Sequence, residues 1–165
     1  SFFSIYFKRL GADNTLVGLS ILISVSSEIP FLFFADKFLK KFGIYRMLLF
    51  AAFLLSIRWF LFSIVESPYL LLPVQLLHGI TFIVFLFSMA TYINSEVQKE
   101  LKALGQAVNG LINLGVARII GSFFGGILSD LVGIRQVFFY NGLLVLSGFI
   151  VFGIIFKDKL IRRPT

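Results

Sequence analysis

The chain has no cysteine, one histidine and few charges. Without cysteine there is no disulfide framework and no thiolate metal site. With one histidine, a conventional metal cluster is not expected, and no cofactor motif is present. Charged residues make up 14% of the 165 residues and hydrophobic ones 58%. Soluble globular domains carry about 25% and about 45–50%, so a single water-soluble core is excluded. The net charge of +7 falls in short clusters between apolar runs rather than along one exposed stripe, so no nucleic-acid partner is expected. No linker or low-complexity tract interrupts the chain. Its opening, Ser1 to Arg9, lacks an initiator methionine, a leading basic region and a small-residue cleavage site. That is not a signal peptide. It reads as the tail of a longer helix, and the expectation is a piece of a larger protein cut inside a membrane span.

What is present is apolar length. Five runs, at about 16–34, 44–65, 69–93, 103–128 and 137–156, can each cross roughly 30 Å of hydrocarbon at about 1.5 Å per residue. With the tail at 1–8, the expected fold is an all-α membrane protein of one helix end plus five full transmembrane helices. The connections are short and hold the glycines, prolines and charges expected at helix ends. The partner of such a surface is the lipid bilayer.

Lysine and arginine in the connections set the expected orientation. Ten of them, in the groups Lys37/Lys40/Lys41/Arg46, Lys99/Lys102 and Lys157/Lys159/Arg162/Arg163, fall on one side; three, Lys8, Arg9 and Arg135, fall on the other. Positive-inside bias then puts the C-terminus in the cytoplasm of a multi-pass cell (inner) membrane protein. A weak internal echo agrees. Asp36 followed by Gly43-Ile44-Tyr45-Arg46 is matched by Asp130 followed by Gly133-Ile134-Arg135, with the glycines 90 residues apart. That interval covers three helices, as a 3+3 inverted repeat requires.

Three ionisable residues lie within different spans: Glu28, Arg58 and His78. Each costs about 2.5–3.5 kcal/mol on insertion scales, so such groups mark solute or proton pathways. Ser20, Ser24, Ser27 and Glu28 share one helical face, which should look into the protein. Pro30 should kink the helix beside the acid. A carboxyl whose burial and cationic neighbour pull its proton affinity in opposite directions can be tuned to take and release a proton. The plainer alternative is a static Glu28–Arg58 pair joining two helices. Arg58 is too deep to snorkel and needs an anionic partner, for which Glu28 is the candidate. Trp59 is expected as an interfacial anchor.

Gln75, His78 and Thr81 form a polar stripe in the third span; His78 is either a proton relay or a satisfied hydrogen-bonding group. In the fourth span Asn109 and Asn113 share a face suited to hydrogen-bonding a solute, and Arg118 falls on another side. Gly121 and Gly125 suggest close helix packing.

These residues resemble the C-terminal half of a major facilitator superfamily transporter, from the tail of its seventh helix to its twelfth. The stretch Asp36, Lys37, Lys40, Lys41, Gly43 is similar to the superfamily's signature loop between helices eight and nine. Glu28, Arg58 and His78 on three successive helices, with Gln75-Leu76-Leu77-His78-Gly79-Ile80-Thr81-Phe82, resemble the lactose-permease and phenylpropionate-permease-like branch. The resemblance implies a six-helix half of a major facilitator fold, with the three ionisable residues in substrate binding and proton coupling. It also implies a role for the loop motif in conformational change. Thr81 stands where the lactose-permease group has a second acid, so either Glu28 carries the proton alone or the coupling acid is in the other half.

The expected function is secondary active transport, a proton symport of a small organic solute by alternating access. Glu28, Arg58 and His78 would couple the proton, and Gln75, Asn109 and Asn113 would orient the solute. The partners are that small molecule, the proton and the N-terminal half of the same transporter. A receptor or assembly module with the same fold is the alternative; an enzyme lacks a nucleophile–base pair, a metal-spacing motif or a phosphate-cradling loop.

Overall fold

Apolar segments in a bilayer must satisfy their own backbone polar groups, and a helix does so locally. The computed structural model describes residues 2–161. Arg162 and Arg163 of the C-terminal basic cluster lie outside the described residues. The helices are α1 (Phe2–Arg9), α2 (Asn14–Ser26), α3 (Glu28–Phe42), α4 (Ile44–Ile64), α5 (Pro68–Val74), α6 (Leu76–Glu96), α7 (Lys102–Gly110), α8 (Ala117–Val132), α9 (Ile134–Ile155) and α10 (Lys157–Ile161). A 3₁₀ turn, Lys99–Leu101, precedes α7, and a π segment, Leu111–Val116, joins α7 to α8. Five continuous units are long and apolar enough to cross a membrane: Asn14–Phe42, Ile44–Ile64, Pro68–Glu96, Lys99–Val132 and Ile134–Ile155.

Two of these units are broken by their prolines. Pro30 has no N–H to give the Ser26 carbonyl, and the chain pauses at Ser27 between α2 and α3. Pro73 sits near the end of α5. There the Gln75 N–H bonds the Leu72 carbonyl and the His78 N–H bonds the Gln75 carbonyl, both at 3.0 Å. These shorter-range bonds tighten the chain before α6 starts.

The connections are shorter than expected. Asp36, Lys37, Lys40 and Lys41, expected in a loop, are helical in α3. Apolar Phe34, Phe38 and Phe42 continue the helical period, and Lys40 bonds Asp36 one turn back at 2.6 Å. Only Gly43 separates α3 from α4, at φ +80°, and only Gly133 separates α8 from α9, at φ +89°. A side chain would strain both positions.

α4 is the central helix, packed along α9 on one side and α6 on the other, while α3 also packs on α6. A cluster of Tyr6, Phe7, Phe62, Leu71, Val74 and Phe138 joins α1, α4, α5 and α9. The Tyr6 hydroxyl donates to the Phe62 carbonyl at 2.6 Å. Trp59 packs against this cluster, stacked on Phe138 at 5.5 Å and 19°. A second cluster, Leu39, Met47, Ala51 and Val84, joins α3, α4 and α6.

The unit Lys99–Val132 is the least enclosed, with almost all of its apolar side chains exposed. No atom lies within 4 Å of a Cβ built on Gly121, and Gly125 meets only the Phe2 ring, at 3.9 Å. The close backbone packing expected of this glycine step is therefore not formed among the described residues, where only the Phe2 ring of α1 reaches it.

Candidate functional site

The two broken units bring their breaks together. Ser27, the pause residue of the first, lies against Gly79 in the first turn of α6, and the Gly79 N–H donates to the Ser27 hydroxyl oxygen at 3.0 Å. Glu28 and His78 are the adjacent residues. The face of Ser20, Ser24, Ser27 and Glu28 turns inward as the spacing predicts, with Ser20 and Ser27 buried and the intervening Ile21, Leu22 and Val25 exposed.

Arg58, His78 and Glu28 form a chain rather than a triangle. The Arg58 Nη1 lies 3.2 Å from His78 Nδ1, and His78 Nε2 lies 3.4 Å from a Glu28 carboxyl oxygen. An arginine only donates, so Nδ1 accepts and the neutral imidazole carries its proton on Nε2, the nitrogen nearer Glu28. A doubly protonated imidazole would set an N–H against the guanidinium. The sequence paired Glu28 with Arg58 directly; no such ion pair within 4 Å occurs among the described residues. The side chain of His78 occupies the gap between them.

Gln75 completes the chain. Its side-chain oxygen accepts from Arg58 Nη2 at 2.8 Å and from the Ser24 hydroxyl at 3.5 Å. At 2% exposure its side chain is occupied in holding the guanidinium. Arg58 also lies over Phe62 and Trp59, with Cζ 5.1 and 5.9 Å from the ring centroids, a cation–π setting suited to a desolvated guanidinium. Its Nε is buried with no hydrogen-bond partner among the described residues. Glu28 and His78 are the open end of the chain, with side chains 20% and 29% exposed. The His78 ring stacks on Phe82 at 5.4 Å and 16°. The Thr81 hydroxyl turns back to the Leu77 and His78 carbonyls, at 2.9 and 3.0 Å.

Asn109 and Asn113 form a separate polar pair. The Asn113 amide donates to the Asn109 side-chain oxygen at 2.6 Å and to its carbonyl at 2.9 Å. No hydrogen bond joins them to the Arg58 chain among the described residues. Gln106 anchors this unit to α6 through the Ala90 carbonyl at 3.0 Å. Arg118 is exposed on α8. An apolar pocket of about 430 Å³ opens between α3, α4 and α6, lined by Phe38, Phe42, Met47, Phe50 and Val84 with Arg46. Neither Glu28, Arg58, Gln75 nor His78 lines it, so the chemistry and this hollow are distinct.

Gly79 is the residue that sequence reasoning passed over. A Cβ there would lie 2.2 Å from the Ser27 carbonyl oxygen. The available signal was a glycine directly after an intramembrane histidine, where a strained or close backbone approach is a standing explanation.

The sequence model of the MFS_1 like family matches residues 1–140. Among curated proteins, the uncharacterized transporter YwbF of Bacillus subtilis is 26% identical over 149 residues, 90% of this chain and 37% of that protein. The maltose permease of Geobacillus stearothermophilus is 22% identical over 159 residues, covering 96% and 40%. The multi-drug resistance efflux pump PmrA of Streptococcus pneumoniae (strain TIGR4) is 30% identical over 147 residues, covering 86% and 36%. The chain thus spans 36–40% of the length of these relatives. No solved structure matches. A helical, membrane-spanning chain matched over this length belongs to the MFS_1 like family, within the major facilitator superfamily of transporters.

Proposed function

We propose that this chain is the C-terminal half of a secondary transporter that couples proton movement to a small organic solute by alternating access, together with an N-terminal half. The observation that carries this reading is the polar series Gln75–Arg58–His78–Glu28, hydrogen-bonded from Gln75 through Arg58 to His78 and completed by the 3.4 Å approach of His78 to Glu28. It places a carboxyl and an imidazole in contact at a partly open end, with a fixed cation behind them.

A proton reaching His78 would turn the Arg58–His78 contact from attraction to repulsion. A proton on Glu28 would weaken its hold on the imidazole instead. The first event changes what holds the guanidinium directly and the second acts on it only through His78, and the Arg58–His78 contact links α4 to α6. Proton occupancy can therefore bias helix arrangement, which is what alternating access requires. Asn109 and Asn113 would contribute solute contacts from the fourth unit. The basic residues of α3 and of the C-terminal segment would face the cytoplasm of a cell (inner) membrane. Two relatives are named a maltose permease and a multi-drug resistance efflux pump, and a small organic solute is the class they share with this proposal.

The test uses the complete transporter in proteoliposomes. A thermal-shift screen of sugars, nucleosides and aromatic acids at two pH values identifies the solute. Glu28→Gln should then abolish accumulation driven by a pH gradient while leaving counterflow exchange of the labelled solute. Undiminished gradient-driven accumulation in that variant overturns the assignment.

A further inference from the structure

The proton groups sit on two helix breaks that the chain joins at one point. Ser27 Oγ donates to the Ser24 carbonyl at 2.6 Å and accepts from the Gly79 N–H at 3.0 Å. One hydroxyl therefore ties the end of α2 to the first turn of α6. Its own residue is the pause before α3, so it fixes where α3 starts. Glu28 is the next residue on one side and His78 the previous residue on the other. Contact at Ser27–Gly79 therefore sets the Glu28–His78 separation more directly than any remote packing. That separation, 3.4 Å, lies just beyond the roughly 2.6–3.2 Å over which a proton is transferred directly. A small rotation of either break closes or widens it.

Gly79 makes the approach feasible, since its missing side chain leaves room for the Ser27 backbone. The charged groups that face His78 are Glu28 from α3 and Arg58 from α4, at 3.4 and 3.2 Å, with Arg118 of α8 making no hydrogen bond or ion pair with the ring among the described residues. Their geometry depends on where α3 and α6 start.

We propose that Ser27 and Gly79 are positioning residues for the proton site: the Ser27 hydroxyl seated on the Gly79 amide locks the two helix breaks together and holds His78 between Arg58 and Glu28 in a single tautomer. This rests on the proton-coupling reading above.

The experiment is ¹⁵N NMR of histidine-labelled complete transporter in phosphatidylethanolamine/phosphatidylglycerol nanodiscs, with the His78 signals assigned by their loss in His78→Gln. The unaltered protein should show one neutral tautomer, protonated on Nε2. Ser27→Ala should add a second set of ring signals, protonated on Nδ1, without loss of the folded state. Ser27→Cys, similar in size but a much weaker acceptor, is measured alongside so that a folding failure of the alanine variant does not decide the matter. Arg58→Met should also release the second tautomer. A single tautomer in the folded Ser27 variants, with Arg58→Met mixed, overturns the positioning role alone. A single tautomer in Arg58→Met overturns the proton-site reading and this inference with it.

Discussion

Arg46, three residues after Gly43, and Arg135, two after Gly133, hold similar places three membrane spans apart. Each follows a left-handed glycine, Gly43 or Gly133, and lies in the first turn of the next helix. Each donates its Nε to a carbonyl at the end of another helix: Arg46 to Leu160 at 2.7 Å, Arg135 to Ser63 at 3.1 Å. Because Arg46 stands at the start of α4 and Arg135 grips its end, the two copies of the echo lie at opposite ends of the same helix.

Arg135 also bonds the Ile64 carbonyl at 3.0 Å and Glu66 at 2.8 Å. A cation on the last carbonyls of a helix complements both unpaired acceptors and the helix dipole. Arg135→Ala should lower stability by about 1–2 kcal/mol, read as a drop in the thermal midpoint in detergent. Glu66→Gln should cost less than about 0.5 kcal/mol, since the Glu66 side chain is mostly exposed.

Gln75 separates a positioning role from a ligand role. Removing its oxygen in Gln75→Leu leaves Arg58 Nη2 without its 2.8 Å acceptor, a loss of about 1–3 kcal/mol for a buried charged donor. The expected outcome is a lower thermal midpoint and weakened coupling with little change in solute KM. A large rise in KM at unchanged stability would instead make Gln75 a direct solute ligand.

His78 is the only histidine of this chain, and its replacement isolates the imidazole from the carboxyl. An amide in His78→Gln can hydrogen-bond but does not titrate. If the imidazole relays the proton, net transport driven by a pH gradient should fall in this variant, with counterflow exchange retained. Gradient-driven transport equal to that of the unaltered transporter would assign the proton to Glu28 alone.

Glycine substitutions distinguish close approaches from open faces. Gly79→Ala drives a Cβ into Ser27 backbone atoms, where neither helix can yield without a shift. A destabilisation of at least about 1–3 kcal/mol is expected. At Gly148 nothing lies within 4 Å, and alanine there should be neutral or gain up to about 1 kcal/mol from helix propensity. Thermal unfolding of both variants provides the comparison.

The membrane class and the number of spans were legible because hydrocarbon length is a property of consecutive residues. The inward serine face was legible for a similar reason, since Ser20, Ser24, Ser27 and Glu28 repeat at helical spacing. Helix ends were less so. The α3 helix runs to Phe42 because its phenylalanines keep the helical period through a charged stretch that composition alone assigns to a loop.

The sequence by itself determined the solvent, the helical class and the three ionisable residues placed within apolar spans, all consequences of local order and transfer energetics. Only the tertiary structure decided which polar groups meet. His78 stands between Arg58 and Glu28, Gln75 holds the guanidinium, and Ser27 caps Gly79. Those pairings depend on the angle at which two proline-broken helices cross and on the room a single glycine leaves there. Spacing along one chain does not encode that separation; the packing of three helices around α4 sets it.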